Sequence, residues 1–202
     1  MITHSYIVSC LKSYEIAQDQ IRWLAEILPG NWELIFVDDG STPPIPIPEK
    51  QPKNTTILRT HDYRPWTQDI ARNRAAREAQ GEYLLMTDID HVFTVESIRV
   101  IEKFTGKMCH FPRQCGRFVD GKPYPAPLRV NRVPPNIYLI RRDIFLSLGG
   151  YDESLCGKRY RATDKVFLDK YRVAHGTTPV LEDAEMYVIP EQYGTFHGLE
   201  RK

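Results

Sequence analysis

Two short apolar runs that each end in acid constrain this chain more than any other feature. Leu34-Ile35-Phe36-Val37 leads into Asp38-Asp39-Gly40-Ser41, and Tyr83-Leu84-Leu85-Met86 leads into Thr87-Asp88-Ile89-Asp90. Short apolar runs bounded by turn residues read as strands buried on both faces. Tyr6–Leu11 is another such run, and Thr56-Ile57-Leu58 is a fourth. Helical patterns lie between them. Ser13 opens one whose apolar stripe is Ile16, Ile21, Leu24 and Leu28, stopped by Pro29-Gly30. Pro65 sits at the first turn of a second that runs to about Ala79, with Gly81 as its stop. Val95 to about Phe104 forms a third. Strands alternating with helices over short links predict an α/β fold with a central, mostly parallel, twisted sheet flanked by helices. Ligands bind such sheets beyond the carboxyl ends of the strands, and Ser9, Asp39, Asp88 and Asp90 all fall there.

The chain has 202 residues, which suits a single domain over 1–202. Its 27 basic and 26 acidic side chains give a net charge of +1, which argues against a globally basic nucleic-acid protein. No apolar run approaches the roughly 20 residues of a membrane span. Met1-Ile2-Thr3-His4 has neither a charged nor an apolar targeting segment, so the expectation is a cytoplasmic protein without a signal peptide. Cys10, Cys109, Cys115 and Cys156 are scattered without a CxxC pair, as expected of reduced thiols. Pro43–Pro48 predicts an extended connector. From Lys107 to Arg142 the character changes to a Pro- and Gly-rich stretch with eight Lys/Arg against one acid, Asp120. Its expected form is a long loop before a strand at Ile137–Ile140, a short helix at Asp143–Leu148 and a late strand at Met186–Ile189.

Asp88 and Asp90, one residue apart at a strand end, can both reach one hard cation such as Mg²⁺ or Mn²⁺, which completes its shell with phosphates and water. The same pair also suits an acidic turn. Asp38-Asp39-Gly40-Ser41 offers a carboxylate for a ring imide or ribose hydroxyl, with Gly40 allowing close backbone approach; an ordinary turn has the same composition. Arg72, in Ala71-Arg72-Asn73, can face a diphosphate or solvent. Asp164, after Thr163 at a helix start, can serve as a general base or merely cap. In Leu148-Gly149-Gly150-Tyr151-Asp152-Glu153, the last two residues are fallback bases.

The order of these blocks, VDDGS, ARN, GEYLLMTDID, IRRDIFLSLGGYDES and then an acidic helix start, resembles the family 2-like glycosyltransferases of the GT-A fold. That resemblance implies a nucleotide-diphosphate sugar donor, with a UDP-sugar first, and a Mn²⁺ or Mg²⁺ cofactor. It implies that Ser9 and Asp39 contact the base, and that Arg72, Asp88 and Asp90 belong to the nucleotide-sugar site. Asp88, Asp90 and a late histidine, His197 with His175 in reserve, would hold the metal. Asp164 would be the catalytic base of an inverting transfer. The family has Glu-Asp where this chain has Thr163-Asp164. Residues 1–106 would form the nucleotide-sugar half and 107–202 the acceptor half of a minimal catalytic domain.

The acceptor would be a glycan, a lipid-linked group or another hydroxyl compound. Arg113, Arg117, Arg129 and Arg132 point to an anionic one, such as a phosphorylated lipid, an acidic glycan or modified DNA. His110, Phe111, Tyr124 and Trp66 can stack on sugars or simply pack. Two alternatives come from other classes. One is a non-catalytic sugar-nucleotide or glycan-binding module. The other is a nucleotidyltransferase, which carries a Gly-rich phosphate loop where this chain has Ser9-Cys10-Leu11-Lys12-Ser13.

Overall fold

The computed structural model describes residues 1–64, 66–126, 133–157 and 163–189. The first half alternates as expected: β1 (His4–Cys10), α1 (Tyr14–Ile27), β2 (Trp32–Asp38), β3 (Thr55–Arg59), α2 (Gln68–Glu78), β4 (Tyr83–Asp88), β5 (His91–Phe93) and α3 (Val95–Ile101). Then come β6 (Met108–His110), β7 (Arg113–Val119), β8 (Lys122–Pro125), β9 (Tyr138–Arg141), α4 (Arg142–Ser147), a 3₁₀ turn at Glu153–Leu155, α5 (Thr163–His175) and β10 (Met186–Val188).

The main sheet has the order β3-β2-β1-β4-β9-β6. β3, β2, β1 and β4 are parallel, while β9 runs antiparallel to both β4 and β6. The parallel register sets Ser9 beside Val37 on one side and Asp88 on the other. Strand alternation splits the apolar residues between two cores. Tyr6, Val8, Leu34, Phe36 and Leu85 face α1 and α3. Ile7, Ile35, Val37, Leu84 and Met86 face α2, α4 and α5. Full burial on both faces explains why these strands read as continuous apolar runs.

The stretch expected as a long loop is structured where it is described. A second sheet, β5-β10-β7-β8, packs on the α1 side. Gln20 of α1 donates to the His91 carbonyl at 2.7 Å and Trp23 to that of Phe93 at 2.9 Å, so α1 joins the two sheets. β7 and β8 form a hairpin whose two-residue turn, Asp120-Gly121, has φ values of 49° and 75°. Positive φ at both positions is the geometry that Asp-Gly favours and that matches strand twist. The Pro43–Pro48 connector is anchored: Ile45 is buried and its N–H donates to Asp38 Oδ2 at 3.0 Å. All four cysteines are free thiols. Among the described residues, no helix is long and apolar enough to cross a membrane.

Asn73 clamps the second half to the first. Its Oδ1 accepts from the Tyr151 N–H at 2.9 Å, and its Nδ2 donates to the Tyr151 carbonyl and to Glu153 Oε1, each at 2.9 Å. Gly150 permits this approach, since it has φ +63° and a Cβ there would lie 2.5 Å from Asn73 Oδ1. Asn73→Ala strands two backbone groups of Tyr151 in a buried place. The expected loss is about 2–4 kcal/mol, seen as a lower urea midpoint. An unchanged midpoint would show that the turn is held by other contacts.

Candidate active site

The two acids at the end of β2 have different tasks. Asp38 is spent on its own loop, accepting from the Ser41 N–H at 2.9 Å and the Ile45 N–H at 3.0 Å. Asp39 faces across to the segment after β3. Its carboxylate accepts from Thr60 Oγ1 at 3.0 Å and from Thr67 Oγ1 at 2.9 and 3.0 Å. Thr67 is the N-cap residue of α2, yet its side chain makes no cap bond, because its hydroxyl turns to Asp39. Gly40 is required here: it has φ +82°, and a Cβ would meet the Asp62 carbonyl oxygen at 2.5 Å. Ser9, on the neighbouring strand, is buried with its hydroxyl unpartnered among the described residues. A buried hydroxyl without a partner is costly, so it marks a place suited to a ligand's hydrogen bond. A cavity of about 210 Å³ opens beside this loop, lined by Asp38, Gly40, Ser41, Arg59, His61 and Tyr63.

Arg72 lies between β4 and α5. It is fully enclosed, at 0% exposure. Its Nη2 reaches Asp88 Oδ1 at 2.5 Å and the Thr87 carbonyl at 3.2 Å. Its Nη1 reaches Asp164 Oδ1 at 3.3 Å and the Tyr151 hydroxyl at 3.2 Å. Burial alone pulls the guanidinium pKa down, but Tyr151, Asp88 and Asp164 outweigh it and hold Arg72 charged. Gln68 and Asn136 also donate to Asp88. Burial pushes the Asp164 carboxyl above the usual range, with Arg72 opposing.

Asp90 follows β4 and binds its neighbour, with its Oδ1 2.7 Å from His91 Nδ1. The other ring nitrogen of His91 faces Arg113 Nη1 at 3.5 Å. Ligand atoms of Asp88, Asp90 and His91 lie within 4.8 Å of one another. Two carboxylates and an imidazole form an oxygen-rich set compatible with Mg²⁺ or Mn²⁺, so these residues fit the cation expected from the sequence.

The strand ends thus carry Ser9, Asp39, Asp88 and Asp90 as read, and Asp164 joins Asp88 through Arg72. Of the two alternative bases, Asp152 caps the 3₁₀ turn and Glu153 pairs with Asn73 and Arg77. His197, Arg129 and Arg132 lie outside the described residues. His175 stands at the far end of α5, roughly 16 Å along the axis from Asp164, so it is not part of this cluster. Arg117 and Tyr124 are exposed on the hairpin, whereas His110 and Phe111 are buried in the core. Sequence reasoning missed His91, Gln68, Asp69, Asn136 and Tyr151. Adjacency to Asp90 was a signal for His91, but nothing local marks Asn136.

Asp69, one turn before Arg72, is 5% exposed. Burial first, then the nearby Asp164 charge, pushes its pKa up to about 6. A folded-state pKa above the unfolded value of about 3.9 stabilises the fold below pH 4 and loses that contribution as pH rises through about 6. Asp69→Asn should therefore be more stable than wild type at pH 8, by about 1–3 kcal/mol. The difference should vanish by pH 4 in chemical denaturation. A pH-independent difference would contradict the raised pKa.

The sequence model of glycosyl transferase family 2 matches residues 5–167. No curated protein matches the chain significantly. Among solved structures, S. aureus TarS 1–349 in complex with UDP-GlcNAc aligns with a TM-score of 0.70 and 17% identity, covering 98% of this chain and 61% of that one. S. aureus TarS 1–349 in complex with UDP aligns with a TM-score of 0.64 and 18% identity, covering 94% and 62%. S. aureus TarS aligns with a TM-score of 0.65 and 19% identity, covering 94% and 37%. This chain therefore spans about 61% of the TarS 1–349 length. Identities this low speak to fold, and the fold is GT-A. With a family match over 5–167 and the acidic strand ends that carry the resemblance, the chain belongs to glycosyl transferase family 2.

Proposed function

We propose that this family 2 domain is a metal-dependent transferase that moves a sugar from a nucleotide-diphosphate donor, a UDP-sugar, to an acceptor hydroxyl with inversion. One observation carries the reading: a single buried guanidinium lies 2.5 Å from Asp88 at the metal-strand end and 3.3 Å from Asp164 at the start of α5. A donor-side carboxylate and a candidate base thereby share one site. That solved TarS structures hold UDP-GlcNAc and UDP supports a uridine donor.

In this reading Ser9 and Asp39 receive the base and ribose, with the unpartnered Ser9 hydroxyl as one contact. Asp88, Asp90 and His91 hold Mn²⁺ or Mg²⁺, and His197 is the further candidate ligand. The cation, when bound, supplies Lewis-acid neutralisation of the departing diphosphate. Asp164 takes the proton from the attacking acceptor hydroxyl. The new bond forms from that oxygen to the anomeric carbon. The bond from that carbon to the diphosphate oxygen breaks, and its electron pair leaves with the nucleotide. Attack from the side opposite the leaving group inverts the centre. Residues 1–106 bind the donor and 107–202 the acceptor. Arg113, close to His91, and Arg117, exposed on β7, favour an anionic acceptor.

The test is a thermal-shift panel of UDP, GDP, CDP and dTDP, with and without Mn²⁺. At a hundredfold excess over Kd, binding contributes about 2.7 kcal/mol, or roughly 5–10 °C for a chain of this size. UDP with Mn²⁺ should give that rise in wild type and in Asp164→Asn, and lose it in Asp90→Ala. Asp164→Asn should still fail to transfer sugar. No response to any nucleotide with Mn²⁺ would overturn the donor site.

A further inference from the structure

The sequence allowed Arg72 to face a diphosphate, but its hydrogens are engaged elsewhere. Each terminal nitrogen has two N–H groups, and each meets two protein acceptors: Asp88 and the Thr87 carbonyl on Nη2, Asp164 and the Tyr151 hydroxyl on Nη1. Among the described residues only Nε lacks a partner, and it is buried. The two carboxylates belong to different elements, β4 and α5, and Arg72 itself is on α2. The guanidinium therefore spans all three at once.

The Tyr151 hydroxyl braces this arrangement. Besides Nη1, it is 2.5 Å from the Tyr138 hydroxyl. The guanidinium carbon sits 5.8 Å from the centre of the Tyr151 ring. Tyr138 stacks on Phe167 of α5 at 5.8 Å. The two hydroxyls and the guanidinium thus fix the first turn of α5 to the core of the sheet.

We propose that Arg72 is a positioning residue, a buried tie that sets the acceptor-side carboxylate Asp164 against the donor-side carboxylate Asp88, with the Tyr151 hydroxyl as its brace. The inference rests on the glycosyltransferase reading above. A planar fork can hold two carboxylates in fixed directions, which a lysine ammonium cannot do. Loss of the fork should misplace Asp164, which loses its charged partner, while Asp88 is still held by Gln68 and Asn136 and the nucleotide's own contacts at Ser9, Asp39 and Asp90 stay in place. Misplacement of a base by a fraction of an ångström lowers the rate of the chemical step more than it lowers binding.

The experiment compares wild type, Arg72→Lys and Tyr151→Phe. Calorimetry gives the Kd of UDP with Mn²⁺, and hydrolysis of UDP-GlcNAc, with water as acceptor, gives kcat and KM. Arg72→Lys should lower kcat by about tenfold or more while Kd and KM stay within about twofold. Tyr151→Phe, which removes a hydroxyl and keeps the ring, should lower kcat three- to tenfold with the same unchanged binding. It should have no further effect in an Asp164→Asn background. A Kd that weakens tenfold in Arg72→Lys, whatever kcat does, makes Arg72 a donor ligand and overturns the tie. Unchanged kcat in Tyr151→Phe, or an effect that persists without Asp164, overturns the brace. A wild type that neither binds UDP with Mn²⁺ nor cleaves UDP-GlcNAc overturns the donor reading itself, and the tie falls with it.

Discussion

A buried arginine shared by two carboxylates is the interaction on which the site depends. Taking a guanidinium out of water costs several kcal/mol, and only close, well-directed partners offset it. Arg72 has them: Asp88 at 2.5 Å, Asp164 at 3.3 Å, a backbone carbonyl and a tyrosine hydroxyl. Two carboxylates brought this near each other would repel without it. The same contact is therefore an electrostatic necessity for the fold and a geometric constraint on the chemistry. Gln68 and Asn136 also converge on Asp88, so three side chains hold its carboxylate.

The strand register delivers the Asp88 side of this arrangement. Parallel pairing aligns Ser9 with Asp88 and Cys10 with Asp38, so three strand ends open at one edge of the sheet. The Asp164 side arrives through longer connections. Asn73 seizes the Tyr151 backbone, Gly150 leaves room for it, and Tyr151 in turn meets Arg72. Two adjacent residues of α2 thus hold the second half, one through backbone hydrogen bonds and the other through charge.

The parallel half of the fold was legible because its strands are buried on both faces and its helices are punctuated by Pro and Gly. Of the second sheet only β10 was legible, as the late strand at Met186–Ile189. β5 is three residues, too short for periodicity to register, and the basic, Pro-rich composition around β7 and β8 suggested a loop. The Asp120-Gly121 turn was the available clue, since that dipeptide between alternating residues favours a hairpin. Helix bounds differed modestly, with α3 ending at Ile101 where the pattern ran to about Phe104.

In the site, local chemistry was readable and partnership was not. The sequence by itself determined that acids would stand at the ends of buried strands, because an apolar run must end where it meets solvent and the residues that follow are Asp, Gly and Ser. It also determined a family, through the order of blocks spread along most of the chain. Only the tertiary structure decided that Asp38 serves its loop while Asp39 binds Thr60 and Thr67, that His91 joins the acidic pair, and that Arg72 points inward. The reason is physical. A side chain's surroundings are set by elements remote in sequence, 16 residues away for Asp88 and 92 for Asp164 as seen from Arg72, and no local pattern encodes the register that brings them together.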